Sequence, residues 1–149
     1  MRNKRNTFGI GIFNPKKEVN LGTLTRSAFI MGADFVFTIG GSESAYLGSD
    51  TTQSKRHMPF LRFASFEEAR RILWQYNFVA VEQGGQSLAS FTHPKQAAYL
   101  LGSEVEGLPA DAMEGSDAVV QIETFRPFSL NVAQTGGIVL YDRITKFSR

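Results

Sequence analysis

Short apolar runs alternate along this chain with segments in which apolar residues recur every three or four positions. The runs predict six buried strands, at Phe8 to Phe13, Asp34 to Gly40, Phe60 to Phe63, Asn77 to Glu82, Ala97 to Leu101 and Asp117 to Ile122. The helical spacing predicts helices at Leu21 to Met31, Phe66 to Tyr76 and Pro109 to Met113, and a C-terminal helix from Ser129. Apolar strands that alternate with helices indicate an α/β fold, with a parallel sheet covered by helices on both faces.

Capping signals mark the ends of the first two helices. Asn20 is expected to cap the first helix, and Gly32 to close it in the left-handed conformation that ends many helices. Ser65 and Glu68 have the spacing of a capping box at the start of the second helix. Residues 41–59, between these helices, are polar and rich in Ser and Gly. A loop of this length in a compact domain is usually functional or mobile.

The C-terminal helix has two unusual features. Ser129 is expected at its N-cap, which places Asn131 in the first turn, beside the positive end of the helix dipole. Gly136 and Gly137 lie in its middle, where each costs about 1 kcal/mol relative to Ala. This cost indicates very close packing against the helix, either by another backbone or by a second subunit.

Composition restricts the possible chemistry and location. The absence of cysteine excludes disulfides, thiolate metal sites and cysteine nucleophiles, and it is typical of the reducing cytoplasm. With two histidines, a histidine-rich metal site is not expected. No apolar run approaches the roughly 18 residues needed to span a bilayer, and the run after the basic N-terminus is too short for a signal peptide. We therefore expect one cytoplasmic domain of residues 1–149, without a membrane segment or a metal.

The net charge of +2 is too small for general coating of DNA, but basic residues cluster in the first third of the chain. They permit a local anionic partner without demonstrating one. These residues are Lys4, Arg5, Lys16, Lys17, Lys55 and Arg56.

Three short segments combine residue types that suit ligand chemistry. In Asn20 to Ala28, Gly22 and Arg26 are four positions apart on one helix face, where the guanidinium could hold a phosphate. In Leu101 to Pro109, glycines flank acidic residues directly after a strand, at the edge where open parallel sheets bind ligands. The third segment is Ser129-Leu130-Asn131. Each segment alone is also compatible with an ordinary structural role as a helix start or a turn.

Together and in this order, the segments resemble the motifs of the SpoU (TrmH-like) family of SPOUT RNA methyltransferases. That family's motifs are N-x-G-[ST]-x-x-R-[ST]-A, G-x-E-x-x-G, and I-P-M followed by S-[LM]-N. They correspond here to Asn20 to Ala28, Gly102 to Gly107, and Ile122 with Ser129-Leu130-Asn131. The resemblance extends over essentially the whole chain. It departs at Glu123 and Thr124, which stand where the family usually has Pro and Met.

The resemblance implies methylation of a ribose 2′-hydroxyl in RNA, chiefly tRNA with rRNA as the other possibility, using S-adenosylmethionine. It also implies a homodimer and a C-terminal trefoil knot, with RNA held by the catalytic domain itself rather than by a separate RNA-binding domain. The residues implied in cofactor binding are Val81, Gly102, Ile122 and Leu130. Those implied in catalysis are Arg26, Asn20, Glu104, Ser129 and Asn131. Arg26 would act either as a base or as a stabiliser of the developing oxyanion, and the second role suits a guanidinium that stays protonated.

The long polar loop carries Lys55, Arg56 and His57, which we expect to contact RNA phosphates. The alternative to an active enzyme is a non-catalytic RNA-binding paralogue, for which Glu123 in the cofactor loop is the supporting feature. Without the resemblance, the pattern of elements would favour a small flavodoxin-like nucleotide-binding protein.

Overall fold

The computed structural model describes residues 6–41 and 58–147. Its strands are β1 (Phe8–Phe13), β2 (Phe35–Ile39), β3 (Phe60–Phe63), β4 (Asn77–Ser87), β5 (Ala97–Leu101) and β6 (Ala118–Gln121). Its helices are α1 (Glu18–Ile30), α2 (Phe66–Ile72), α3 (Ala110–Glu114) and α4 (Val132–Phe147). Each predicted strand and helix is present, although several boundaries differ.

The six strands form one parallel sheet in the order β3-β2-β1-β5-β4-β6. Successive side chains of each strand point to opposite faces of the sheet, so the apolar runs build two separate cores. Helices α1 and α4 pack on one face, and α2 and α3 pack on the other. The predicted α/β architecture is confirmed.

The position of β1 in the middle of the sheet explains why Ile and Gly alternate in its sequence. Ile10 and Ile12 are buried in the core beneath α1 and α4. Gly9 and Gly11 face the other core, where the rings of Phe35 and Phe37 lie directly over them. A Cβ at Gly11 would be 2.5 Å from the Phe37 ring. The glycines therefore make room for aromatic rings on the neighbouring strand.

Three of the predicted helix boundaries are wrong, at the start of α1, the end of α2 and the start of α4. Helix α1 begins at Glu18, two residues before Asn20, so the Asn20 side chain does not cap it. Helix α2 ends at Ile72 rather than at Tyr76. The chain turns beyond Ile72, and the Tyr76 N–H donates to the Leu73 carbonyl over 2.9 Å.

The predicted caps at Gly32 and at Ser65 are present. Gly32 has φ 84°, and it closes α1 with a bond from its N–H to the Phe29 carbonyl, while the Ala33 N–H bonds the Ala28 carbonyl. This pair of bonds is the Schellman arrangement, which favours Gly at that position. At the start of α2, the Ser65 hydroxyl accepts from the Glu68 N–H over 3.1 Å.

Helix α4 begins later than predicted, and Asn131 rather than Ser129 caps it. Asn131 Oδ1 accepts from the backbone N–H groups of Ala133 and Gln134 at 2.9 and 3.3 Å. Gly136 is buried where α4 crosses α1, and a Cβ there would collide with the Leu24 side chain. Close packing within the chain thus accounts for Gly136. No described atom lies within 4 Å of a Cβ placed at Gly137.

A buried polar cluster ties the C-terminal half of α4 to the sheet. The two ring nitrogens of His93 contact the Tyr99 hydroxyl at 2.6 Å and the Asp142 carboxylate at 2.7 Å. The guanidinium of Arg143, which is 1% exposed, donates to Tyr99 and to two backbone carbonyls before β5. Burial raises the pKa of Tyr99 to about 12 and lowers the pKa of His93 from its ordinary value. Both shifts favour the uncharged forms of these rings.

Candidate active site

A cavity of 690 Å³ opens at the carboxyl ends of β5 and β6, beside Val81, Glu82 and Gln83 in the middle of β4. Its volume is typical of sites that enclose a small molecule or a cofactor. Eight of the nine residues implied in catalysis or cofactor binding line it, namely Asn20, Val81, Gly102, Glu104, Ile122, Ser129, Leu130 and Asn131. The structure thus brings these eight positions together, and their individual roles stay predictions.

The loop after β5 closes tightly on itself. Ser103 and Gly107 pair as an isolated antiparallel bridge, with the Gly107 N–H donating to the Ser103 carbonyl over 3.1 Å. A Cβ at Gly102 would lie 2.5 Å from the Gly107 carbonyl carbon and 2.7 Å from the Leu108 nitrogen. Gly107 itself has φ 66°, a conformation that strains other residues. The two glycines therefore allow the loop to close, because a side chain at Gly102 would collide with the backbone of Gly107 and Leu108.

The cavity is also lined by Glu82 and Gln121, which the sequence motifs did not indicate. Strand β4 leaves its register with β6 after Val81 and regains it a few residues later. Within this excursion, the Glu82 carboxylate accepts from the Leu108 N–H at 3.1 Å, and Gln121 Oε1 accepts from the Gly84 N–H at 3.0 Å. The sequence could have indicated Glu82 as a site residue, because it ends the apolar run of a predicted strand and ligands bind at the carboxyl ends of parallel strands.

Asn20, Glu104 and Asn131 form a continuous polar chain at the cavity. Asn131 Nδ2 donates to Asn20 Oδ1 over 3.0 Å, and Asn20 Nδ2 donates to Glu104 Oε1. The second carboxylate oxygen of Glu104, Oε2, is buried and has no hydrogen-bond partner among the described residues. Leaving such an oxygen unpaired is costly, so this position suits a hydroxyl or amine donor on a bound ligand.

The segment between β6 and α4 passes along the cavity mouth. Ile122 and Thr124 line the cavity, whereas Glu123 between them is exposed and is not part of the lining. Consecutive side chains in extended backbone point in opposite directions, which explains this alternation. The carboxylate that the sequence places in the cofactor loop thus does not enter the cavity.

Arg26 is the one described candidate that the cavity does not include. It is exposed on the outer side of α1, about 9 Å further along the helix axis than Asn20. Gly22, four positions before Arg26, is buried, so the two residues do not form an open site for a phosphate beside the guanidinium. Lys17 is the cationic residue among the described residues that line the cavity.

Lys55, Arg56 and His57 lie outside the described residues, and their contact with RNA stays a prediction. Within residues 6–41 and 58–147, no three His, Asp or Glu side chains are grouped as metal ligands. No helix in the same ranges has the length and apolar character of a membrane span.

Known proteins with a similar fold or sequence include several methyltransferases. The AdoMet complex of the SpoU methyltransferase AviRb from Streptomyces viridochromogenes superposes with a TM-score of 0.86 at 20% identity, over 98% of this chain and 60% of that one. A structure described as giving insights into the 2-OH methylation of C/U34 on tRNA has a TM-score of 0.85 at 21% identity, over 95% and 97%. The tRNA (guanosine(18)-2′-O)-methyltransferase TARBP1 of Mus musculus is 27% identical over 139 residues, which are 85% of this chain and 8% of that protein.

This chain therefore spans about three fifths of AviRb and a small fraction of the mouse protein. The structural neighbours share its α/β fold with a parallel sheet. At the level of sequence, residues 8–141 match a single family over nearly the full length of the chain. The chain belongs to the SpoU rRNA Methylase family.

Proposed function

We propose that this protein methylates a ribose 2′-hydroxyl in RNA with S-adenosylmethionine as the methyl donor. tRNA is the principal candidate substrate, and rRNA is the other. The observation that carries the proposal is the convergence of all three family motifs on one cavity at the sheet edge. This convergence supports a shared function for residues that lie up to 111 positions apart in the sequence.

The residues at the cavity fit the proposed cofactor. Gly102, Ile122 and Leu130 would hold it largely through backbone groups, and Val81 would add a contact at the cavity wall. The unpaired Glu104 Oε2 adds an acceptor for one of the donors of the bound molecules. When bound, the cofactor supplies a methyl group on a sulfonium sulfur.

The protein side chains would chiefly align and stabilise the reacting ribose. The 2′-oxygen would attack the methyl carbon, the bond from that carbon to sulfur would break to leave a neutral thioether, and the hydroxyl proton would pass to solvent water. Negative charge would develop on the oxygen as its proton leaves. Arg26 would stabilise this charge or hold the adjacent phosphate, because its guanidinium stays protonated in proteins. Asn20 and Asn131 would orient the ribose, Ser129 would position the neighbouring loop, and Glu104 would brace Asn20. Alignment of this kind can supply a large part of a rate enhancement.

We further propose a homodimer formed through the outer face of α1 and α4. Among the described residues, α1 exposes the large apolar side chains of Val19, Phe29 and Ile30, and α4 exposes those of Ile138, Tyr141 and Phe147. Exposed apolar clusters of this kind mark interaction surfaces, and a twofold interface would bury the same patch on both subunits. Arg26 is also exposed on α1 and could then reach the cavity of the partner subunit.

Two finer features are also part of the proposal, a knot that the family implies and a cytoplasmic location. The chain from β6 to α4 would be threaded as a trefoil knot, although general topology rules disfavour knots. The absence of cysteine is consistent with the expected cytoplasmic location.

Mass spectrometry of nucleosides tests the activity directly. RNA from cells that lack the protein would lose one 2′-O-methylated nucleoside, and the purified protein with S-adenosylmethionine would restore it. Calorimetry with S-adenosylmethionine tests the cavity separately. A protein that binds RNA but shows neither methylation nor cofactor binding would be the non-catalytic paralogue, an alternative that the exposed position of Glu123 does not favour.

A further inference from the structure

Residues 124–128, here named the aromatic turn, form a hydrogen-bonded turn at the mouth of the cavity. The Arg126 carbonyl accepts two hydrogen bonds, from the Thr124 hydroxyl and from the Phe128 N–H, both at 2.8 Å. Pro127 between them restricts the backbone further, because its ring fixes φ. The side chains of Phe125 and Phe128 are therefore presented from an ordered turn.

Both rings of the aromatic turn face solvent to an unusual degree. Phe125 is 109% exposed and Phe128 is 74% exposed, so Phe125 makes no contribution to the core. Phe128 also lines the cavity, next to Ser129 and Asn131. The pair thus connects the outer rim with the place where the reacting ribose would lie. Exposed aromatic side chains in such a position indicate a binding surface.

The charges around the two rings favour an anionic partner with flat apolar groups. Arg126 is exposed between Phe125 and Phe128, and Lys17 lines the same cavity from the start of α1. Exposed carboxylates are also near, since Glu123 precedes the turn and Glu106 pairs with Lys16 at 4.0 Å. A nucleotide matches two aromatic faces with a cation between them, because its base can stack while its phosphate meets the guanidinium.

We propose that the aromatic turn binds an unpaired base of the RNA substrate, which stacks on Phe125 while Arg126 contacts the adjoining phosphate. This inference rests on the proposed function and narrows its substrate to single-stranded segments, such as a loop or an unpaired end. In a duplex, the faces of the bases are already stacked on one another and cannot accept the ring. Phe128 then guides the neighbouring nucleotide toward Asn20 and Asn131.

The test uses binding of a short fluorescent single-stranded RNA oligonucleotide, measured by anisotropy, and methylation of unfractionated tRNA. Phe125→Ala and Phe125→Leu should each weaken RNA binding about tenfold, whereas Phe125→Trp should keep it, because stacking needs an aromatic ring. Trp74→Ala is the matched control. Trp74 is 74% exposed but precedes β4, at the opposite edge of the sheet, so its loss should leave RNA binding unchanged. The same oligonucleotide annealed to its complement should bind more weakly to the wild-type protein.

Other results would overturn the inference. If Phe125→Leu binds as well as the wild type, or if all Phe125 variants bind equally, no base stacks there. If Phe125→Ala instead changes the mass in solution, the turn is part of a subunit interface. In each of these cases the wild-type protein still methylates RNA, so the proposed function survives. A wild-type protein that binds S-adenosylmethionine but methylates no RNA would overturn the proposed function itself.

Discussion

Asn131 and Asn20 lie 111 residues apart in the sequence, and the side-chain amide of Asn131 donates to Asn20 Oδ1 over 3.0 Å. The carbonyl oxygen of the same Asn131 side chain caps α4. Asn20 in turn donates to Glu104. One side chain thus fixes both the start of a helix and the orientation of two polar groups in the cavity.

Two variants of Asn131 should separate these two effects. Asn131→Ala removes the cap and should destabilise the protein by about 1 kcal/mol, which lowers the melting temperature by about 3 °C. Asn131→Asp keeps an acceptor for the cap but cannot donate to Asn20, so its melting temperature should stay close to that of the wild type. Both should reduce single-turnover methylation, by on the order of 100-fold, because the polar chain is misaligned. Thermal unfolding and methylation are measured on the same samples. Wild-type methylation by Asn131→Asp would show that the bond to Asn20 has no catalytic consequence.

Gly102→Ala should abolish binding of S-adenosylmethionine while leaving the sheet folded. Its Cβ would press on backbone atoms of Gly107 and Leu108, which can move only if the whole loop shifts. Gly137→Ala is the matched control, because no described atom lies within 4 Å of its Cβ, and Ala in a helix is favoured over Gly by about 1 kcal/mol. Calorimetry should detect cofactor binding to the control and not to Gly102→Ala. Equal affinities would place the cofactor away from this loop.

The strands could be predicted well because most of them are apolar runs, and the sheet buries β1, β2 and β5 on both faces. Helix starts were less predictable, because several residues near each start have side chains suited to capping and the sequence does not show which of them caps. Asn20 bonds Glu104, and Asn131 takes the cap of α4. The order β3-β2-β1-β5-β4-β6 was not predictable from local pattern, because it depends on where each crossover returns to the sheet.

The composition of the candidate site was only partly accessible from sequence. Motif spacing identified the loop at Gly102 and the segment at Asn131, because both depend on special backbone or capping residues. Glu82 and Gln121 were missed, since their contacts arise from an excursion of β4 that no local pattern records. The sequence likewise could not predict that Arg26 lies away from the cavity, because this depends on how α1 packs against the sheet.

Acidification should destabilise the protein through His93. Burial lowers the pKa of His93 below 6.5, while hydrogen bonding to Asp142 opposes that shift and the charges of Lys146 and Arg143 add to it. Between about pH 6.5 and the lower pKa of folded His93, the unfolded chain binds a proton that the folded chain does not. Stability therefore falls as pH drops below about 6.5, and it levels off below the folded pKa. The free energy of unfolding should decrease more steeply between about pH 7 and pH 5 in the wild type than in His93→Gln. Parallel pH profiles for the two proteins would contradict this assignment.

Arg26→Ala and Arg26→Lys should both lower the rate of single-turnover methylation, by on the order of 100- to 1,000-fold. Lysine keeps the positive charge but loses the planar fork of donors, so it should not restore the rate. Because Arg26 does not line the cavity of its own chain, affinity for S-adenosylmethionine should be nearly unchanged in both variants. A wild-type rate for Arg26→Ala would make Arg26 an ordinary surface residue.

If Arg26 acts on the cavity of a partner subunit, two inactive variants should complement each other. Gly102→Ala retains Arg26 but has a blocked cavity, and Arg26→Ala retains an open cavity. In a mixed dimer, the intact Arg26 of one subunit faces the intact cavity of the other. Random pairing of equal amounts should therefore restore about a quarter of the wild-type sites.

The experiment co-refolds the two purified variants and measures methylation of unfractionated tRNA. Each variant refolded alone is the control for residual activity, and mixed refolding of two wild-type preparations gives the reference rate. Restored methylation can arise only from a site shared between subunits, because neither chain carries both intact elements. If the mixture is as inactive as its parts while native mass spectrometry shows mixed dimers, Arg26 serves the cavity of its own chain. That result would require the α1 surface to reorganise when RNA binds, since Arg26 lies outside the cavity of its own chain.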